Sequence, residues 1–245
     1  HSIQWKTLVR CTVIDCGTGT RDFEQLFAGQ YDKYLGFDFE SDESRWEISL
    51  ENIDFNASID SIPIGDNSAD TVLNYSVLEH VPFDPLLGLK EMYRILKPGG
   101  FAFISIPFTY NTHGKNSDFW RWTQYGFEKH LTQCGFQVCE ILEFGGAIIR
   151  LVEMVFKFYW TVLNAMSKVL PFNLAQNSLH NWLIQLPQRV IMALYYPFFK
   201  WLYGYGGNFD NKCKKTKLRR SAREGMHPFT MAFIAIAKKP GEIER

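Results

Sequence analysis

The stretch Thr12-Val-Ile-Asp-Cys-Gly-Thr-Gly-Thr20 decides the fold of this 245-residue chain. Its apolar start predicts a buried parallel strand, and Gly17 and Gly19 predict a turn that lets the backbone approach a ligand closely. Asp15 places a carboxylate at the end of this strand, where open α/β sheets bind their ligands.

A second acid follows at the end of the next predicted strand, Tyr34-Leu-Gly-Phe-Asp38. The Asp38 carboxylate can accept both hydroxyls of a ribose, at roughly 1.5–3 kcal/mol for each charge-assisted hydrogen bond. Asp22 stands where a dinucleotide-binding motif has its third glycine, and an acid there would repel a pyrophosphate. Asp15 instead suits a ligand with an ammonium group, so the pattern indicates a nucleoside-containing cofactor and counts against a nicotinamide dinucleotide.

Five further segments follow in a fixed order: a strand over Asp70–Tyr75, the run Ser76–Val81, a helix over Leu86–Leu96, a turn over Lys97–Gly100 and a strand over Phe101–Pro107. In this order the chain resembles the class I S-adenosylmethionine-dependent methyltransferases, in particular the type 11 small-molecule group. The family's motifs are matched by Ile62-Pro-Ile64, Leu78-Glu-His-Val81 and Leu96-Lys-Pro-Gly-Gly100. The resemblance covers about residues 8–145 and the strand near 230–238.

The resemblance implies a doubly wound, Rossmann-like α/β sheet of seven strands, with strand seven antiparallel. Strand six is expected over Phe136–Leu142 and strand seven over Met231–Ala237. The long interval between them predicts a helical insertion, so we expect a cofactor-binding domain over 1–145 and 229–245 and an apolar insertion with a basic loop over 146–228.

The resemblance also implies S-adenosyl-L-methionine as cofactor and assigns its contacts. Serine at position 58, where the family often has aspartate, weakens the assignment there, and Asp60 is a candidate to compensate. For Phe39, packing remains as open as an adenine contact. The implied contacts are Asp15, Gly17, Gly19, Asn74 and Tyr75 for the methionine part, Asp38 for the ribose, and Phe39, Ser58 and Ile59 for the adenine.

The loop Pro107–Thr123, after strand five, is where this family places its acceptor contacts. His113 is the preferred general base because imidazole titrates near neutral pH, and His80 is the second candidate. Asp118 and Arg121 either orient a substrate or form an ion pair that shapes the loop. No residues show metal-ligand spacing, so the sequence predicts a metal-independent enzyme.

Five cysteines without a C-x-x-C pair suggest neither a disulfide framework nor a zinc site, which favours a reducing, cytoplasmic compartment. The first strand begins within about ten residues, so we expect no signal peptide and an N-terminus shortened relative to the family. The first hundred residues carry 17 acids and 8 bases, while the remainder carries 9 acids and 18 bases. Seven of these bases lie in 212–223 and either face anionic lipid or form a solvated loop. Without interleaved aromatics they do not predict nucleic-acid binding.

The insertion is strongly apolar over 147–170, with one polar stripe at helical spacing, and aromatic over 182–205. Two interpretations remain open. Segments 147–205 and 212–223 contact the inner face of a membrane peripherally and present a lipid-linked substrate, or the apolar surface forms a cap or a homodimer interface.

The leading functional interpretation is a methyltransferase acting on a small-molecule acceptor, by O-methylation of a sugar or lipid-linked saccharide. The alternatives are N- or C-methylation of another small metabolite, or a catalytically silent, cofactor-binding, membrane-associated or scaffold module. A nicotinamide-dependent oxidoreductase is a distant third.

Overall fold

The computed structural model describes residues 8–39, 50–113, 116–144 and 232–241, together with six residues between 154 and 162. The four longer ranges lie in one unit of the chain and the six residues in another. The first unit contains the sheet that positions the candidate site.

Seven strands form one sheet in the order β3-β2-β1-β4-β5-β7-β6. Strands β1, β2, β4 and β5 run parallel, whereas β7 lies antiparallel between β5 and β6. This topology confirms the predicted seven-stranded α/β sheet with an antiparallel last strand. The strands are β1 (Thr12–Cys16), β2 (Lys33–Asp38), β3 (Phe55–Asn56), β4 (Ala69–Tyr75), β5 (Leu96–Pro107), β6 (Gln137–Phe144) and β7 (Ala232–Lys238).

Three α-helices lie in the described part of this unit: α1 (Asp22–Leu26), α2 (Pro85–Ile95) and α3 (Gln124–Gln133). Side-chain caps explain where the two longer helices begin. Asp84 accepts a hydrogen bond from the Leu86 backbone N–H, and Pro85 has no N–H to leave unpaired. Thr123 accepts from the Gly126 N–H in the same way. Helix α2 begins within one residue of the position predicted from the sequence.

The central strands β1 and β4 are buried on both faces, which explains why they are almost continuously apolar. Successive residues of a strand point to opposite faces. Val13 and Leu73 pack into one hydrophobic cluster, while their neighbours Ile14 and Val72 pack into the other.

The predicted turn over Lys97–Gly100 is wrong, because β5 already begins at Leu96. Leu96 pairs with Ala69, with a register shift before the regular pairing at Phe101. Gly99 adopts φ +83° within this irregular segment. Its N–H donates to the carbonyl of Lys239, and the Lys239 N–H donates to Gly100. Gly99 and Gly100 therefore allow an irregular stretch of β5 that is held by backbone hydrogen bonds to Lys239, far along the chain.

The predicted insertion over 146–228 lies almost entirely outside the described residues. In the second unit, residues 154–155, 158–159 and 161–162 are helical. Met154, Val155 and Phe158 are exposed there. Within the described ranges, no helix combines the length and apolarity that crossing a membrane requires.

Candidate functional site

The turn after β1 is bound to the end of β2 by backbone hydrogen bonds. The N–H groups of Gly17 and Thr18 both donate to the carbonyl of Phe37, at 2.9 and 3.0 Å. Because β1, β2, β4 and β5 are parallel, the segments that follow them meet at the carboxyl edge of the sheet. The structure thereby brings together the two predicted parts of a cofactor site, the glycine turn and the acid that ends β2.

The carboxylate of Asp38 is directed at the glycine turn. Its Oδ2 accepts from the Gly19 N–H at 3.0 Å, and its Oδ1 accepts from the Phe39 N–H at 2.8 Å. A carboxylate offers about four acceptor positions, so these two bonds fix its orientation and leave capacity for two hydroxyl donors. This arrangement fits the ribose contact that the sequence predicts.

Gly17 and Gly19 have positive φ angles of 85° and 52°, a region that side chains disfavour. A Cβ on Gly17 would lie 2.2 Å from Cγ2 of Val77, so this glycine makes room for the segment after β4 rather than for a ligand. At Gly19, no described atom lies within 4 Å of an added Cβ. The sequence predicts close approach of a ligand at both glycines. At Gly17 the space of a missing side chain is taken by Val77, whereas at Gly19 it is open.

Asp15 is buried beneath the turn instead of lying open at its surface. Its Oδ2 accepts hydrogen bonds from the hydroxyls of Tyr34 and Thr18, and among the described residues its Oδ1 has no partner. Burial raises the pKa of Asp15 to about 6. The carboxylate thus holds the turn against β2, and Gly36 beside it is required because a Cβ there would lie 2.5 Å from Thr18 Oγ1.

The other predicted cofactor residues lie around this edge in different environments. The Asn74 side chain is buried and donates to the Cys16 carbonyl at 2.9 Å, while its Oδ1 lacks a hydrogen-bond partner in the described part of the chain. Tyr75 is half exposed and packs on Phe23. Phe39 is 54% exposed, which argues against a packing role.

Two predicted adenine contacts follow the short strand β3. Ser58 is partly buried and donates a hydrogen bond to Asp60, the residue expected to compensate for it. Ile59 is buried and packs close to Gly88 of α2, where an added Cβ would lie 3.2 Å away. The side chain of Ile59 therefore belongs to the core.

The loop after β5 is held by an ion pair between Asp118 and Arg121. Arg121 donates to both carboxylate oxygens, at 2.7 Å for Nη2–Oδ2, and Asp118 also accepts from the His113 backbone N–H at 2.9 Å. Hydrogen bonds from Arg121 and from the His113 N–H outweigh the effect of burial and lower the pKa of Asp118. This geometry supports the interpretation in which the pair shapes the loop.

The same loop lies on the turn that follows β4. The N–H groups of Phe119 and Trp120 both donate to the carbonyl of Glu79, at 2.8 and 3.3 Å. His80 and His113, the two predicted bases, are thereby brought to a centroid distance of 4.8 Å. Sequence reasoning gave no role to Glu79, although the acid stands directly before His80.

The Glu79 carboxylate is the most unusual group of the site. Its side chain is completely buried, and its Oε1 lies 3.8 Å from Nε2 of both His80 and His113. Burial raises the pKa of Glu79 to about 7, whereas burial lowers the pKa of His80. The sequence predicts no metal site, yet Glu79, His80 and His113 present three potential ligand atoms within 4.8 Å of one another. The contacts between the two loops that bring them together have no local sequence pattern.

Comparison with known proteins finds similarity to methyltransferases. Residues 14–104 match the family model described as a methyltransferase domain. An uncharacterised methyltransferase of Mycobacteroides abscessus is 35% identical over 101 residues, which is 38% of this chain and 39% of the relative. A protein of Mycolicibacterium smegmatis, named as a probable S-adenosylmethionine-dependent methyltransferase, is 27% identical over 113 residues, 44% of each chain. The chain thus spans about two fifths of the length of these curated relatives.

Solved structures share the fold. A phosphoethanolamine N-methyltransferase of Haemonchus contortus, solved with phosphomonomethylethanolamine and S-adenosylhomocysteine, aligns with TM-score 0.53 at 15% identity. The alignment covers 95% of this chain and 49% of that one. The cyclase SpnF aligns with TM-score 0.50 at 13% identity, over 94% of this chain and 75% of the cyclase. At these identities the likeness concerns the fold alone.

Proposed function

We propose that this chain, which belongs to the class I S-adenosylmethionine-dependent methyltransferases, methylates a small-molecule acceptor. S-adenosylmethionine supplies an activated methyl group on a positively charged sulfur. The observation that carries the proposal is the Asp38 carboxylate, which is oriented toward the glycine turn at the carboxyl edge of the sheet. An acid in this position serves a nucleoside sugar.

We assign the cofactor contacts from this geometry. Asp38 would hold the ribose hydroxyls, and the backbone at Gly19 would border the methionine part. Asn74 and Tyr75, at the end of β4, would flank that part, and the exposed ring of Phe39 would lie along the adenine. Ser58 and the backbone of Ile59 would contact the adenine edge, whereas Asp15 supports the turn from below.

For the acceptor we propose a hydroxyl group of a sugar or lipid-linked saccharide. An aliphatic hydroxyl is a poor nucleophile and needs a group that assists loss of its proton. His113 lies in the loop where this family binds acceptors, on a backbone held by Asp118. In this proposal the protein's main contribution is to orient the two reactants, which can supply about 7–11 kcal/mol of the barrier.

Binding of S-adenosylhomocysteine tests the cofactor assignment by calorimetry. Asp38→Asn should weaken binding about 10–100-fold, because a hydrogen bond to a charged group contributes roughly 1.5–3 kcal/mol. Asp32→Asn makes the same charge change just before the opposite end of β2, where the residue is exposed, and should leave the affinity unchanged. If the unsubstituted protein does not bind S-adenosylhomocysteine, the proposed function is wrong.

A further inference from the structure

Three electron-pair donors converge between the turn after β4 and the loop after β5. They are a carboxylate oxygen of Glu79 and one ring nitrogen each of His80 and His113, all within 4.8 Å of one another. The Oε1 atom of Glu79 lies 3.8 Å from Nε2 of each histidine. We call these three residues the Glu-His-His cluster.

The hydrogen bonds of the two imidazole rings indicate which ring nitrogen carries the hydrogen and which carries the lone pair. Nδ1 of His80 lies 2.5 Å from the carbonyl oxygen of Ser117, and Nδ1 of His113 lies 3.1 Å from that of Asn111. A carbonyl oxygen only accepts, so each neutral ring carries its hydrogen on Nδ1. Nε2, which lies 3.8 Å from Oε1 of Glu79 in both residues, is therefore the ring atom that carries the lone pair.

Glu79 makes this convergence costly without a cation. Its side chain has no exposed surface, and in the described part of the chain neither of its oxygens has a hydrogen-bond partner. The nearby guanidinium of Arg121 is already paired with both oxygens of Asp118. Buried carboxylates are normally hydrogen-bonded, paired or coordinated to a metal, and a cation held between the three donor atoms would supply the partner that both oxygens of Glu79 lack.

We propose that the Glu-His-His cluster binds one divalent transition-metal ion. Two imidazoles and one carboxylate suit zinc, ferrous iron and related ions, whereas magnesium and calcium prefer oxygen ligands alone. With ligand bonds near 2.1 Å, neighbouring ligand atoms in a tetrahedral site lie roughly 3.4 Å apart. The two distances of 3.8 Å need only a small inward movement, whereas the two histidine nitrogens, which lie within 4.8 Å of each other, would have to approach further.

The surroundings of the two histidines match those of metal ligands. A histidine ligand usually donates its second ring N–H to a backbone carbonyl or carboxylate, which fixes its orientation. His80 has the Ser117 carbonyl in this position. His113 has the Asn111 carbonyl, with Oδ2 of Asp118 at 3.4 Å. The loop held by Asp118 and Arg121 thus orients one ligand.

The role of the ion rests on the proposed function, although its binding does not. Three protein ligands leave a coordination position for water or substrate. A bound divalent ion lowers the pKa of an oxygen attached to it, which is the assistance that a hydroxyl acceptor requires. The site therefore favours a hydroxyl-bearing acceptor, with His113 serving as a ligand instead of the base.

Metal binding can be measured without cofactor or acceptor. Chelator-treated, dialysed protein is titrated with zinc by calorimetry and with cobalt by visible absorption. We expect one ion per chain, visible cobalt bands and a higher melting temperature with zinc. Glu79→Gln and His113→Ala should each weaken binding by more than roughly a hundredfold, since losing an outer-shell partner alone costs about 10–100-fold. His130→Gln changes a histidine outside the cluster and should bind normally.

Several results would overturn the inference. The first is the absence of saturable binding. The second is that Glu79→Gln and His113→Ala bind the metal as tightly as the unsubstituted protein. The third is an ultraviolet thiolate band that places cobalt on a cysteine such as the exposed Cys11. Glu79→Gln keeps the shape of the side chain and removes its buried charge, and circular dichroism of both variants checks folding. The outcome is separate from that of the proposed function, because S-adenosylhomocysteine binding is measured without metal.

Discussion

At the scale of single residues, Asp15 combines complete burial with only partial hydrogen bonding. Its carboxylate accepts from Tyr34 and Thr18 through Oδ2, and burial raises its pKa from 3.8 to about 6. Burial and the neighbouring Asp15 also raise the pKa of the Tyr34 hydroxyl. The group that anchors the glycine turn is therefore a source of pH-dependent stability.

The sign of this dependence follows from the raised pKa. The folded state holds the proton of Asp15 more tightly than the unfolded chain, so this contribution is fully present below about pH 3.8 and is lost as the pH rises through about 6. A shift of about two pKa units corresponds to about 3 kcal/mol. In urea unfolding experiments from pH 4 to 8, the free energy of unfolding of Asp15→Asn should rise relative to that of the unsubstituted protein by up to about 3 kcal/mol. If the difference in unfolding free energy between the two proteins stays constant from pH 4 to 8, Asp15 is not the source of the pH dependence.

At the scale of elements, the conformation of the loop after β5 depends on a small number of hydrogen bonds. Asp118 joins Arg121 to the backbone of His113, and Phe119 and Trp120 join the loop to the carbonyl of Glu79. The Asp118 side chain is 3% exposed, so its hydrogen bonds with Arg121 are sheltered from water. The order of the loop should therefore depend on the two-pronged geometry of the guanidinium.

Arg121→Lys tests this dependence while keeping the charge. Lysine cannot reproduce the paired hydrogen bonds, so we expect faster amide hydrogen exchange over residues 116–121 and lower turnover, with unchanged affinity for S-adenosylhomocysteine. The loss of stability should be roughly 1.5–3 kcal/mol. Arg10→Lys is the matched control at an exposed position. Unchanged exchange in the loop would show that the ion pair does not hold it.

How much the sequence could predict also differs between elements. The apolar runs of β1 and β4, and the capping residues Asp84 and Thr123, carry local signals, so their positions follow from the chain itself. Lys97–Gly100 was misassigned because its partner Lys239 is remote. The role of Glu79 was missed for a similar reason, since His113 reaches it only through the contacts of a distant loop.

At the scale of the whole molecule, the fold leaves the reaction open. The cyclase SpnF shares this fold with an N-methyltransferase, so activity must be argued from the site. The uneven charge of the chain is a separate property: residues 1–100 carry nine more acids than bases, and residues 101–245 carry nine more bases than acids. The basic part includes the run 212–223, which follows the aromatic segment 182–205.

Membrane contact through this part of the chain is the last prediction. The apolar side chains of Met154, Val155 and Phe158 are exposed and would be covered by a bilayer surface. Each basic residue near an anionic bilayer contributes about 1 kcal/mol. The protein should float with anionic liposomes at low salt, and replacing the seven bases of 212–223 by glutamine should abolish this. Replacing bases of the first unit such as Arg94 and Lys97 would break their ion pairs with acidic residues, so neutral liposomes are the better control. Absence from the anionic fraction would instead favour a cap or a homodimer interface, and the molar mass from light scattering would distinguish a dimer from a monomer.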